Sequence, residues 1–129
     1  MADESDRART PAEQNRIETR QWVEQVALDP GLPPRATQVA MILAALIDRR
    51  TRSPWQFWAY PSQRLLAHLA GRITVRAVQN VLERLVKEGH LEKKKRSQTS
   101  SAYRPKLKNP HRSILDAVHD FRDDAENLT

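Results

Sequence analysis

A chain of 129 residues can hold one small hydrophobic core with modest extensions but not two. It has no cysteine, which excludes a disulfide scaffold and thiol chemistry and agrees with a reducing, cytoplasmic setting. The apolar run from Val39 to Ile47 is too short to span a bilayer, and the first ten residues carry no apolar signal segment. The net charge is +6, and its distribution is uneven. Residues 71–108 hold eleven Lys/Arg against three Asp/Glu, a net of +8, whereas residues 1–70 come to +1 and residues 109–129 to −3. A local cationic excess attracts a polyanion, and nucleic acid is the expected one. An anionic membrane competes poorly, because no helix pairs a basic face with a Trp- or Phe-rich one.

Residues 1–9 mix charges without periodicity and are expected to be disordered. Residues 10–30 form an appended N-terminal helix: Thr10 caps it, Pro11 takes the first helical position and Glu13 the third. Ile17, Val23, Val26 and Ala27 make a weak apolar stripe before Asp29-Pro30-Gly31 and Pro33-Pro34 break the chain. Trp22 either joins that stripe or docks on another subunit. Arg35 to Asp48 is the most apolar helix, with Val39, Ile42, Leu43, Leu46 and Ile47 facing the core. A loop with two or three extended residues follows. It contains Trp55, Phe57, Trp58 and Tyr60, which serve either as an aromatic plug under the loop or as a surface on which bases stack.

Ser62 to Ala70 is a short helix capped by Ser62, with Leu65, Leu66, Leu69 and Ala70 inward. After Gly71-Arg72-Ile73, Thr74 caps a second helix that ends at Gly89. Its Val78, Val81, Leu82, Leu85 and Val86 recur at spacings of three and four, which marks a buried face. Thr74, Val75, Arg76, Gln79 and Asn80 remain on the first two turns. Arg matches the two acceptors of guanine, and Asn or Gln the donor and acceptor of adenine. A short helix, a turn with Gly and a longer amphipathic helix make a helix-turn-helix unit, whose second helix enters the major groove by its N-terminal turns.

Beyond Gly89 the period changes. Leu91 to Arg96 and Ala102 to Leu107 read as strands joined by a polar loop, Ser97 to Ser101, with Pro105 restricting the second to an edge. A basic hairpin in this place is a wing, and Arg72, Lys93, Lys94, Lys95, Arg96, Arg104 and Lys106 are expected to grip DNA phosphates. Residues 109–129 are an acidic amphipathic C-terminal helix. Ser113 and Asp116 form its capping box, and Ile114, Val118, Phe121 and Ala125 form its stripe. That stripe must pack on its own domain, a second copy or another protein, so Trp22, Ile114, Val118 and Phe121 are the dimerisation candidates.

The sequences Y-P-S-Q-R-L-L-A-H-L-A-G and T-V-R-A-V-Q-N-V-L-E-R-L-V-K-E-G-H-L, then a basic hairpin ending A-Y-R-P, resemble the winged helix-turn-helix domains of bacterial, plasmid and phage regulators and replication initiators. With the helix from Arg35, the resemblance covers about 70 residues, 35–108 at most. It implies a mainly α fold with a small β-wing, a three-helix core, double-stranded DNA as partner, and commonly a homodimer. By position it carries Thr74, Val75, Arg76, Gln79 and Asn80 to base and backbone contacts, and Lys93 to Arg96 and Arg104 to the wing. Two features depart from the pattern: the turn from Gly71 to Ile73 is one residue longer than usual, and His90 stands where an apolar residue is usual.

His68, His90, His111 and His119 lack partners at metal-ligand spacing, and no phosphate-binding glycine loop or nucleophile motif occurs, so neither metal, cofactor nor enzymatic activity is expected. The reading is a DNA-binding transcriptional regulator, a repressor acting by occupancy. The alternatives are a plasmid or phage replication-initiation or partition protein, and a protein-interaction adaptor.

Overall fold

The computed structural model describes residues 8–98 and 100–127, the last three by their backbone alone. The expectation of disorder over residues 1–9 therefore falls mostly outside the described residues, as do Thr99 of the polar loop and the side chain of Ala125. Among the described residues the order is α1 (Pro11–Ala27), α2 (Ala36–Ala45), α3 (Gln63–Leu69), α4 (Val75–Lys87), β1 (Leu91–Lys95), β2 (Ser101–Pro105) and α5 (Ile114–Asn127). The chain is mainly helical with a small antiparallel sheet. No described helix is long and apolar enough to cross a membrane.

Four of the helices begin where a hydroxyl can accept a backbone N–H that the helix itself leaves unpaired. Thr10 accepts from Glu13, Ser62 from Leu65, Thr74 from Ala77 and Ser113 from Asp116, each at 3.1 Å. The carboxylates of Glu13 and Asp116 accept the Thr10 and Ser113 backbone N–H groups in return, closing both expected capping boxes. Gly89 ends α4 in the left-handed region (φ +80°), where its N–H reaches the Val86 carbonyl and that of His90 reaches Leu85. The turn before α4 passes through two successive left-handed positions, Gly71 (φ +85°) and Arg72 (φ +60°). The second of these is unusual for a side chain with a Cβ.

Val39, Leu43 and Ile47 of the α2 region meet Leu66 of α3, Val78, Val81, Leu82 and Leu85 of α4, and Leu91 and Tyr103 of the sheet in one core. The helix over Arg35–Asp48 is shorter than expected, ending at Ala45, and Leu46 turns out to solvent. Ala36 and Ala40 on it are fully buried, and small side chains there let neighbouring helices come near. The inner face of α3 is also rotated from expectation: Leu66, Ala67 and Ala70 are buried while Leu65 and Leu69 are exposed. Two turns of helix hold too few residues for bulk alone to set the phase. Packing on α2 and α4 sets it instead.

The helix expected to be appended is part of the core. Trp22 is completely buried, which removes it as a contact to another subunit, and its indole N–H donates to the His90 carbonyl at 2.6 Å. Val26 is buried beside it, but Ala27 of the expected stripe is exposed, and Thr19 and Gln25 are buried in its place. Gln25 uses its whole amide. Its oxygen accepts the Lys108 N–H at 2.8 Å, so its nitrogen must donate, to the Lys106 carbonyl at 3.0 Å and to Nδ1 of His90 at 2.8 Å. With Nδ1 accepting, the His90 ring proton sits on Nε2 and is donated to Asp29 at 2.7 Å. That bond first, then the Gly31 N–H, holds the Asp29 carboxyl below the ordinary carboxylate range. His90 is thus the buried centre of a lock joining α1 to the root of the sheet, which is why a polar ring is tolerated there.

In the sheet, Leu91 pairs with Pro105 and Lys95 with Ser101. β2 is not left bare on its outer side: Ala59 and Tyr103 exchange two backbone hydrogen bonds at 2.8 and 2.7 Å. Residues 101, 103 and 105 turn their amides to that side, so Pro105 removes no donor from the β1–β2 ladder. The extended residues expected between α2 and α3 thus form a single bridge across the strand expected to be an edge.

Candidate nucleic-acid interface

Because Val78, Val81, Leu82 and Leu85 hold the inner side of α4, residues a half-turn away must face out. Arg76, Asn80, Glu83 and Lys87 fall on that line and all are exposed. Neither Arg76 nor Asn80 donates to another described residue, so a guanidinium fork and a primary amide stand free on the first two turns. Such groups match guanine O6/N7 and adenine N6/N7. The other three expected readers differ. Thr74 is exposed, but its hydroxyl caps α4. Val75 is half-buried and packs on the core, because it shares the three- and seven-residue spacing of Val78 and Leu82. Gln79 is half-buried, and its Nε2 donates to Gln63 Oε1 at 3.0 Å, tying α4 to α3 and leaving its carbonyl oxygen free.

Alternation along β1 divides the expected row of cations between two faces. Lys93 and Lys95 lie on the side of Leu91 and Tyr103. Lys93 and Tyr103 join Gln79, Leu82 and Val86 around a groove of about 260 Å³ between α4 and the sheet. Lys94, Arg96 and Arg104 lie on the opposite face, over the aromatic loop. The Arg96 guanidinium stands 4.1 Å from the Tyr60 ring centre and 6.0 Å from Trp55, Lys94 Nζ 5.6 Å from Trp55, and the Arg104 guanidinium 5.8 Å from Trp58. None of the three forms an ion pair with a described residue. Aromatic faces attract cations through their quadrupole, so these rings order the cations without neutralising them. Arg72 is exposed in the α3–α4 turn, and Lys106 is exposed just beyond β2.

The loop bearing those rings is organised by a residue that the sequence reading left unassigned. Asp48 accepts from Arg50 Nη2 at 2.9 Å, Arg50 Nε at 3.1 Å, the Arg50 backbone N–H at 3.0 Å, Ser53 Oγ at 2.6 Å and the Tyr60 hydroxyl at 3.1 Å. The Arg50 guanidinium, then Ser53, depress its carboxyl well below the usual range, and Asp48 in turn raises Arg50. The backbone of Asp48 also pairs with Phe57 and Trp58, which holds Phe57 in the left-handed region (φ +72°). Trp58 is buried and packs edge-on against half-buried Trp55 at 5.9 Å, so the loop is at once a plug and a platform for Lys94, Arg96 and Arg104. Residues 50, 53 and 60 have no periodic relation to 48, and only the clustering of aromatics signalled the loop. Gln63, Glu83 and Lys87 were also missed. The last two lie one and two turns beyond Asn80 on the same face of α4.

Comparison of the chain with protein-family models, with curated proteins and with solved structures gives no match.

Proposed function

We propose that α2, α3 and α4 with the β1–β2 hairpin form a winged helix-turn-helix that binds specific double-stranded DNA, and that the chain is a transcriptional regulator repressing by occupancy as a homodimer. One observation carries the reading. The first two turns of α4 expose the side chains of Arg76 and Asn80, unengaged among the described residues, beside a hairpin whose cations have no carboxylate partner among those residues. In this reading α4 enters the major groove, Arg76 and Asn80 contact base edges, and Thr74, Arg72 and Lys106 lie at phosphates. Lys93 and Lys95 follow one strand. Lys94, Arg96 and Arg104, held by the aromatic loop, follow the other side of the hairpin. Glu83, facing out on α4, is suited to accept from the amino group of cytosine.

Selecting bound fragments from random DNA, then titrating the selected and a scrambled duplex at several salt concentrations, tests the reading. Affinity should fall by about 0.9 log unit per log unit of salt for each phosphate neutralised. Arg76→Ala or Asn80→Ala should lose about 1–3 kcal/mol on the selected duplex and little on the scrambled one, whereas Lys94→Ala should weaken both alike. Equal losses on both duplexes for Arg76→Ala would remove its assigned role. An adaptor protein would show no steep salt dependence toward DNA at all. Selected sites that are inverted repeats at promoters fit a repressor, and tandem origin repeats fit a replication factor.

A further inference from the structure

Two apolar surfaces lack cover among the described residues. On α5, Ile114, Leu115, Val118 and Phe121 are exposed, Phe121 at 74%. Its root is tied to α1, by Lys108 to Gln25 and by the Ile114 N–H to Glu24 Oε1 at 3.4 Å, while its outer turns project. The second surface is the seam between α2 and α3. At one end Arg35 donates to the Ala70 carbonyl at 2.9 Å, and at the other Leu46 and Leu65 line one groove of about 410 Å³. The two helices therefore run antiparallel and align Ile42, Leu46, Leu65 and Leu69 along a single line, with Leu65 at 41% and Leu69 at 45% exposure.

The geometry points to a reciprocal exchange in which α5 of each copy lies apolar side down in the α2–α3 seam of a second copy, Phe121 entering between Leu46 and Leu65. Charge selects this occupant. Arg49, beside the groove, bonds among the described residues only to the neutral Asn15 and Thr19 side chains, and Arg64 is exposed next to Leu65 without a described acidic partner. The polar side of α5 carries Asp116, Asp120, Asp123 and Asp124, of which, among the described residues, only Asp120 forms an ion pair, with Arg112. Size agrees: fourteen residues of α5 span about 21 Å and the ten-residue α2 about 15 Å. Each copy offers one helix and one seam, so two copies satisfy all four surfaces and the assembly closes. Gln63 occupies the flank of α3 toward α4, and Leu65 and Leu69 the flank toward α2. The seam can therefore be filled while Arg76 and Asn80 stay open. This inference rests on the homodimer part of the reading above and not on its DNA part.

Light scattering on the size-fractionated full chain tests it. The wild type should have twice the 14.9 kDa chain mass, and Phe121→Asp and Leu65→Asp should each give the single mass. Mixed at higher concentration, the two variants should recover the double mass. One supplies an intact seam and the other an intact helix, leaving one sound joint. Circular dichroism controls for folding, with Leu69→Lys replacing Leu65→Asp if the latter unfolds. A monomeric wild type overturns both this inference and the homodimer. A dimeric wild type whose seam variants stay dimeric, or whose monomeric variants fail to complement each other, overturns the exchange alone.

Discussion

Gln25, a residue type usually exposed, is buried here and bonds to His90, Lys106 and Lys108, 65 to 83 residues away in the chain. Replacing it with Leu leaves the Lys108 N–H and the Lys106 carbonyl unsatisfied, and should cost about 1–3 kcal/mol in urea unfolding. Asp48 acts differently, through ionisation. Its carboxyl is depressed in the folded chain, so its stabilisation is complete above the unfolded value of about 3.9 and is lost as pH falls below it. The gap in melting temperature between wild type and Asp48→Asn should be constant near neutrality and shrink as pH drops through the acid range. Neither residue was legible as a structural centre, because the partners of each are scattered along the chain without a period. His90 was visible as an anomaly, but the reason for it needed Gln25, Asp29 and Trp22 in one place.

At the scale of elements, regular spacing carried the reading well where it was long. Thirteen residues of α4 with five recurring apolar positions fixed its buried side, and with it the exposure of Arg76 and Asn80; four of the five are buried, and Val86, expected inward, is exposed at the C-terminal edge of that face. The same logic failed for the seven residues of α3, where Leu65 and Leu69 face solvent and alanines face inward. The hairpin was readable as two basic strands, but the sharing of its cations between faces follows from register. The resulting dependence on the aromatic loop is measurable. Trp55→Ala should free Lys94 and Arg96 and, at about 0.5–1 kcal/mol for an exposed cation–π contact, weaken binding of every duplex roughly two- to fivefold without altering sequence preference. A changed preference would assign Trp55 to base contact instead.

At the scale of the molecule, the +8 of residues 71–108 is carried on a scaffold to which α1 contributes Trp22 and Val26. A chain beginning at Asp29 loses Trp22, Val26 and Gln25 together. It should show no cooperative thermal transition, whereas removal of residues 1–8 should leave the transition within a few degrees of wild type. A cooperative transition in the shorter chain would make α1 an accessory after all.

The lock around Gln25 also has a bearing on biosynthesis. The last partner it needs is the amide of Lys108, so a nascent chain that has emitted α1 through α4 still holds Trp22 without its His90 acceptor and Gln25 without its Lys108 donor. Completion of the tertiary structure is deferred until the hairpin has left the ribosome. The segment that finishes this architecture therefore also sets the moment at which the growing polypeptide can become native.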